Sequence, residues 1–162
     1  MILRPTLAFA FAHPAHFIAL GFGAGLAPFA PGTFGTLPAF PDLVAAGPEG
    51  HSPVQMLALI VALFAAGVWA CEITGRHLGI ADHGAMVWDE VVAFLLVLAL
   101  LPAGTGWMVA AFLLFRFFDI VKPPPIRDCE RRMKGGFGVM FDDILAALYT
   151  LLVIALAKRF LV

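Results

Sequence analysis

Long apolar runs, separated by short polar segments, dominate the sequence. The run 54–73 holds roughly 20 residues, enough for a helix about as long as the hydrocarbon core of a bilayer. Its strongly polar members, Gln55 and Glu72, lie near its two ends. The last apolar run, 139–157, is of similar length and opens with Asp142 and Asp143. Each run predicts a membrane-spanning helix.

The segment 86–121 predicts a helical hairpin. It holds two apolar stretches, 91–101 and 107–118, with PAGTG between them at 102–106. Proline and glycine in such a cluster mark a turn. Counting its flanks, each arm has about 17 residues, near the lower limit for a membrane span.

The N-terminal apolar segment 17–40 cannot form one plain helix. It contains the sequence GFGAGLAPFAPGTFGTLPAF, with glycine or proline at nearly every third position. Each interior proline costs a helix about 3 kcal/mol. Broken backbone at membrane depth needs protein or water to satisfy its polar groups. We therefore predict a broken span or a re-entrant loop that lines a polar pocket.

Composition agrees with these elements. The chain is 62% hydrophobic and 13% charged, with a mean hydropathy of +0.97, whereas about a quarter of the residues of a soluble domain are charged. Length indicates one domain, residues 1–162. The predicted fold is all-α, a multi-pass helical membrane bundle with a broken N-terminal segment and a helical hairpin. The expected partner is the membrane and its lipids, and not a nucleic acid.

Acidic residues at the edges of these runs are the main functional signal. A charge near hydrocarbon costs several kcal/mol unless it is paired, hydrated or bound to a metal. The hairpin returns the chain to the face it left, which brings together Asp89, Glu90, Asp119, Asp142 and Asp143. Seven cations should lie at the same face, which predicts the cytoplasmic side: Arg76, Arg116, Lys122, Arg127, Arg131, Arg132 and Lys134. Lys158 and Arg159 would emerge on the opposite side.

Clustered carboxylate oxygens suit Mg²⁺. We therefore expect Asp89, Glu90, Asp119, Asp142 and Asp143 to be catalytic residues and Mg²⁺ ligands, directly or through water. An alternative is that each acidic pair merely begins a helix, because acids are favoured at helix N-termini.

Phosphate contacts are expected from two places. Arg116, Asp119 and Lys122 recur every three residues, which places them on one helix face. Arg116 and Lys122 would bind a phosphate, unless the three form only an ion-pair ladder with snorkelling side chains. The loop PGTFGT offers Thr33 and Thr36 beside glycines that permit close approach. Packing or a hinge is the alternative role of that loop.

Four blocks resemble one family. GFGAGLAPFAPGTFGTLPA, DHGAMVWDEVV, FRFFDIVKPPPI and GGFGVMFDDI, in this order, look like the phosphatidylglycerophosphatase A family over about residues 17–157. The resemblance implies a Mg²⁺-dependent, multi-pass enzyme of the bacterial inner membrane that removes the terminal phosphate of phosphatidylglycerophosphate and leaves phosphatidylglycerol. Ala24 departs from the pattern, since many members carry serine there.

A second reading comes from another functional class. Intramembrane carboxylates also mark ion pathways, so a divalent-cation transporter or channel component is the alternative. Arg116 and Lys122 disfavour this transport function, because cations beside the acids would repel a permeating cation.

Overall fold

The computed structural model describes residues 4–36 and 52–161, without the side chains of 34–36 and 161. Helices and loops account for this part of the chain, which contains no strand. The N-terminal part comprises α1 (Leu7–Ala12), α2 (Pro14–Ala19), a distorted 3₁₀ segment (Gly21–Leu26) and α3 (Pro31–Thr36). The rest comprises α4 (Pro53–Leu78), α5 (Trp88–Leu100), α6 (Thr105–Val121), α7 (Ile126–Arg132) and α8 (Gly135–Leu161).

The N-terminal segment is broken, as predicted, as far as residue 36. The chain turns between α1 and α2 at His13, whose extended backbone ends one helix while its side chain accepts the N–H of Ala15. Phe22 has a left-handed backbone (φ 57°), which interrupts the 3₁₀ segment. The remainder of the predicted segment, 37–40, lies outside the described residues.

Helix α4 confirms the first predicted helix and continues five residues further. Its start is fixed by a capping box, in which the side chains of Ser52 and Gln55 exchange hydrogen bonds with each other's backbone N–H. Its end comes at Gly79, which adopts the left-handed conformation (φ 71°) typical of a helix C-cap. Glu72 therefore lies inside the helix and not at its end.

The predicted break between α5 and α6 is also confirmed, but the first arm is short. Helix α5 has 13 residues, about 20 Å, and α6 has 17, about 26 Å. The loop before α5 is held to α2 by a hydrogen bond from Val87 N–H to the carbonyl of Ala19, at 2.9 Å. Both arms pack mainly against α8 and only slightly against each other.

Helix α8 is the central element, since it contacts α4, α5, α6 and α7. The sequence predicted its start at 139, after Gly135, Gly136 and Gly138. In the structure these glycines form its first turn. A Cβ at Gly136 would overlap the carbonyl oxygen of Val68, so the small residue lets α4 and α8 touch backbone to backbone. Asp142 and Asp143 consequently lie two turns inside α8.

Two helices of the described part, α4 and α8, are long and apolar enough to cross a membrane. In their most apolar stretches only 22% and 44% of the residues, respectively, are buried. A core helix of a soluble protein would be mostly buried. Large apolar side chains such as Val54, Leu57, Leu152 and Phe160 instead point outward. The arrangement suits helices that face lipid.

Candidate functional site

Three carboxylates from three separate elements meet at one end of the bundle. Asp82 comes from the loop after α4, Glu130 from α7 and Asp142 from α8, and one oxygen of each lies within 4.8 Å of the others. Asp82 is exposed, Glu130 is half-buried and Asp142 is buried. We call these three residues the carboxylate cluster. Ionised carboxylates this close repel one another unless a cation lies between them.

Lys122 supplies one such cation. Its Nζ donates to Oε1 of Glu130 at 3.1 Å and to Oδ2 of Asp142. It is the C-cap of α6 and adopts a left-handed backbone (φ 45°, ψ 65°), directly before three prolines. Such a conformation costs a residue with a side chain about 1 kcal/mol or more. The fold tolerates this strain at the residue that places an ammonium between two carboxylates.

Burial and neighbouring charges shift the pKa values of Asp82 and Lys122. Surrounding protein desolvates the carboxyl of Asp82 and raises its pKa, while the charge of Lys122 opposes the shift. Burial would lower the pKa of Lys122, but its hydrogen bonds to Asp142 and Glu130 raise it overall. Lys122 therefore stays protonated throughout the physiological range.

A second cluster, which we call the arginine cluster, forms around Arg116 on α6. Its Nη1 lies 2.6 Å from Oε2 of Glu90 and 2.9 Å from Oδ2 of Asp119. All three side chains are at most 20% exposed. Arg116 and Asp119 share a helix face, as their spacing predicts. Lys122 ends the same helix but bonds to acids of the carboxylate cluster. The two cations of this helix face therefore contact two separate clusters.

Asp89 and Asp143 lie buried among these groups, at 7% and 3% exposure. Oδ1 of Asp89 accepts the N–H of Glu90 at 2.9 Å, and the N–H of Asp143 donates to Oδ1 of Asp142 at 3.1 Å. Oδ2 of Asp143 is buried without a hydrogen-bond partner among the described residues. The electrostatic neighbours of Asp143 are Asp89, Glu90, Asp119 and Asp142.

The five acids predicted from the sequence therefore converge. With Asp82 and Glu130 the site holds seven carboxylates, while Arg116 and Lys122 are the cations that bond to them in the described part. Such an excess of buried negative charge favours the binding of a further cation, and a site made of oxygen donors alone fits a hard ion such as Mg²⁺.

The glycine-rich N-terminal segment approaches this site through α3. A Cβ on Gly32 would overlap the carboxylate of Glu90, so only glycine permits this contact. Thr33 follows and is half-buried, next to the site by chain position. The side chain of Thr36 lies outside what the structure describes. The contact at Gly32 brings this segment beside Glu90, and its role as the wall of a polar pocket stays a prediction.

Asp82 and Glu130 are site residues that the sequence prediction missed. Both lie in polar connecting segments, which usually face solvent. One signal was available for Glu130: it follows the fully buried Ile126 by four residues and so shares the inward face of α7. No comparable signal existed for Asp82, whose position depends on how the loop after α4 folds back.

The prediction that Asp142 and Asp143 begin a helix was wrong. Helix α8 begins at Gly135, and the anion at its N-terminus is Glu72 of α4, whose Oε2 accepts the N–H of Gly136 at 2.6 Å. Favourable capping is therefore excluded as the reason for the buried pair. The pair is instead buried in the third turn of α8, among other acids.

Comparisons with known proteins agree with the family resemblance of the sequence motifs. The sequence model of the family described as phosphatidylglycerophosphatase A matches residues 17–158. A Haemophilus influenzae protein named phosphatidylglycerophosphatase A is 42% identical over 144 residues, 88% of this chain and 87% of its own. An Escherichia coli protein of the same name is 41% identical over 136 residues, 83% of this chain and 77% of its own.

A third relative carries a different name. A Bacteroides thetaiotaomicron protein, provisionally named phosphatidylinositol-3-phosphatase, is 41% identical over 149 residues, 87% of this chain and 91% of its own. No solved structure matches the chain. The comparisons give no support to the cation-transport alternative. The family model covers most of the chain, including every described residue of the two clusters, and so the protein belongs to the phosphatidylglycerophosphatase A family.

Proposed function

We propose that the protein hydrolyses the terminal phosphate of phosphatidylglycerophosphate and releases phosphatidylglycerol, with the help of Mg²⁺. The observation that carries the proposal is the carboxylate cluster with Lys122 at its centre, in a chain of this family. Names of the Haemophilus and Escherichia relatives supply the substrate. Phosphate monoesters hydrolyse extremely slowly without a catalyst, so dense charge compensation is what this reaction requires.

Asp82, Glu130 and Asp142 are the residues best placed to hold Mg²⁺. Their oxygens lie within 4.8 Å of one another, and Mg²⁺ binds carboxylates and keeps several waters. Asp89, Glu90, Asp119 and Asp143 would complete the site as further ligands, directly or through water. The partnerless Oδ2 of Asp143 supports this role. When bound, the ion would neutralise phosphoryl oxygens and lower the pKa of a coordinated water.

Arg116 and Lys122 would bind the phosphate. Each now bonds to two carboxylates, so a cation that takes over those acids would free both side chains for an anion. The planar guanidinium can donate two parallel hydrogen bonds to phosphoryl oxygens, and the ammonium adds a point charge. Thr33 and Thr36, on the segment that reaches Glu90 through Gly32, would donate further hydrogen bonds.

Proton transfer falls to the carboxyl groups. Hydrolysis breaks the bond between phosphorus and the glycerol oxygen, and a water oxygen takes its place on phosphorus. The attacking water loses a proton and the departing glycerol oxygen gains one. Carboxyl groups that are buried together are suited to accept and return that proton.

The lengths and positions of the helices support the proposed membrane position of the site. We place the protein in the bacterial inner membrane as a multi-pass protein, with α4 and α8 as full spans. The site lies at the C-terminal end of α4 and the N-terminal part of α8, together with seven cations from Arg76 to Lys134. By the positive-inside rule this end faces the cytoplasm.

The function is tested by phosphate release from phosphatidylglycerophosphate by the purified protein, with Mg²⁺ and with excess EDTA. We expect turnover that requires Mg²⁺. Phosphatidylinositol 3-phosphate serves as a second substrate, because the name of the Bacteroides relative suggests it. Preference for that lipid would change the proposed substrate. Turnover in excess EDTA would contradict the proposed dependence on Mg²⁺.

The topology is tested by cysteine labelling of sealed vesicles. Single cysteines at Gly104 and at Asp128, in a background lacking Cys71 and Cys129, should react from opposite sides. Gly104 lies in the turn between α5 and α6, and Asp128 lies on α7 beside the site. Reaction of both from the same side would contradict the hairpin arrangement.

A further inference from the structure

Helix α7 has two chemically different faces. Ile126 is fully buried and Glu130, one turn later, points to the carboxylate cluster. Arg127, Arg131 and Arg132 are exposed on the remaining surface. We call these three residues the basic face. The same short helix thus presents an acid to the site and three guanidinium groups outward.

The charges of the basic face are uncompensated among the residues that the structure describes. Arg76, Arg116 and Lys122 each form ion pairs with carboxylates. No carboxylate of the described residues lies within 4.0 Å of the basic face; Arg127 donates only to the carbonyl of Val121, at 3.2 Å. Asp128 is the one acid exposed on this surface of α7, so the face keeps a net positive charge.

Exposed apolar side chains lie close to the basic face along the chain, on the helices before and after α7. Ile120 at the end of α6 is 71% exposed, Phe117 one turn earlier is 54% exposed, and Phe137 in the first turn of α8 is 47% exposed. Cations bordered by outward apolar side chains are typical of a surface that lies at the boundary between headgroups and acyl chains.

We propose that the basic face binds the phosphate groups of anionic phospholipids and thereby holds Glu130 in the carboxylate cluster. This inference rests on the proposed function, because it requires the site to lie at a membrane surface. Guanidinium groups bind phosphates with two parallel hydrogen bonds, and each basic residue near an anionic surface contributes about 1 kcal/mol. The lipid surface thereby adds a second anchor, besides the buried Ile126, for the short helix that carries Glu130.

The activity test compares wild type with the triple variant Arg127→Gln, Arg131→Gln, Arg132→Gln. The matched control is Lys158→Gln, Arg159→Gln, which removes exposed cations at the other end of α8. Each protein is reconstituted in phosphatidylcholine bilayers with and without phosphatidylserine. We expect phosphatidylserine to raise kcat/KM about tenfold or more for wild type and the control, and hardly at all for the triple variant. Equal stimulation of all three would overturn the inference.

A binding measurement keeps this inference separate from the proposed function. A bimane group on Asp128→Cys, in a background with Cys129→Ser, reports contact with lipid headgroups that carry a quencher. Phosphatidylserine should increase quenching in the otherwise unchanged protein and not when the three arginines are glutamines. Quenching that does not depend on the three arginines would overturn lipid binding by the basic face, even if the protein has the proposed activity. Absence of phosphate release with arginine-dependent quenching would refute only the proposed function.

Discussion

Carboxylates serve two different purposes at the same end of the bundle. Glu72 accepts the N–H of Gly136 at the N-terminus of α8 and bonds to Arg76 at 2.7 Å. Its charge is matched by one cation and by the helix dipole. In the two clusters, together with the buried Asp89 and Asp143, seven acids by contrast share two cations. Glu72 is thus satisfied by the protein alone, and the clusters are not.

The difference shows how a structural acid can be told from a functional one in an apolar protein. A carboxylate with a backbone donor and its own arginine stabilises the contact between two helices. A group of carboxylates with too few cations makes the folded state less stable unless something else binds. The shortage of cations is therefore the physical reason for proposing that the clusters are catalytic, whereas Glu72 caps a helix.

The largest expected effect comes from Asp143→Asn. It keeps the size of the side chain but removes a negative charge from the most buried position of the site. We expect kcat to fall about ten- to a hundredfold, as removal of a group that orients or binds a metal commonly does. Thermal stability in EDTA should rise or stay unchanged, because repulsion among the acids is reduced. A large loss of stability would instead make Asp143 a structural acid like Glu72.

Binding of Mg²⁺ should itself stabilise the folded protein. At a free concentration one hundred times the dissociation constant, mass action contributes about 2.7 kcal/mol. Thermal unfolding in detergent with increasing Mg²⁺ measures the effect without reference to turnover. Asp142→Asn should abolish most of the shift, and Glu72→Gln should leave it intact. A shift that survives loss of Asp142 would place the ion elsewhere.

The raised pKa of Asp82 predicts a pH dependence of metal binding. Only the ionised carboxyl binds Mg²⁺, so affinity is complete above the raised pKa and falls as pH drops through it, by up to about tenfold per pH unit. Without Mg²⁺, the contribution of this carboxyl to the stability of the folded state changes with pH in the opposite direction to the metal affinity. A carboxyl with a raised pKa stabilises the folded state at low pH, and that contribution is lost as pH rises through the folded-state pKa. Thermal unfolding at several pH values, without Mg²⁺ and with increasing Mg²⁺, measures both effects, with Asp82→Asn as the comparison.

The smallest effect is expected for Glu72→Gln. Glutamine can still accept the N–H of Gly136, but it loses the charge that interacts with the helix dipole and with Arg76. We expect a loss of about 1 kcal/mol of stability. The Mg²⁺ concentration for half-maximal activity should not change. If it did, Glu72 would belong to the catalytic site, and the contrast between the two kinds of acid would fail.

Much of the architecture could be predicted from the sequence because apolar runs and helix breakers are local signals. The runs that become α4 and α8, the break after Leu100 and the interrupted N-terminal segment all follow from length, proline and glycine. The five acids Asp89, Glu90, Asp119, Asp142 and Asp143 could be singled out because a carboxylate beside an apolar run is costly wherever the run ends.

Only the tertiary structure decided which acids meet, and with which cations. The start of α8 depends on Gly136 touching the backbone of Val68, a contact between residues far apart in the chain. Asp82 and Glu130 join Asp142 because a folded-back loop and the buried Ile126 bring them there. Periodicity fixes which side of a helix a residue occupies, but the distance between carboxylates on different elements is set by packing, and that distance decides whether they form one site.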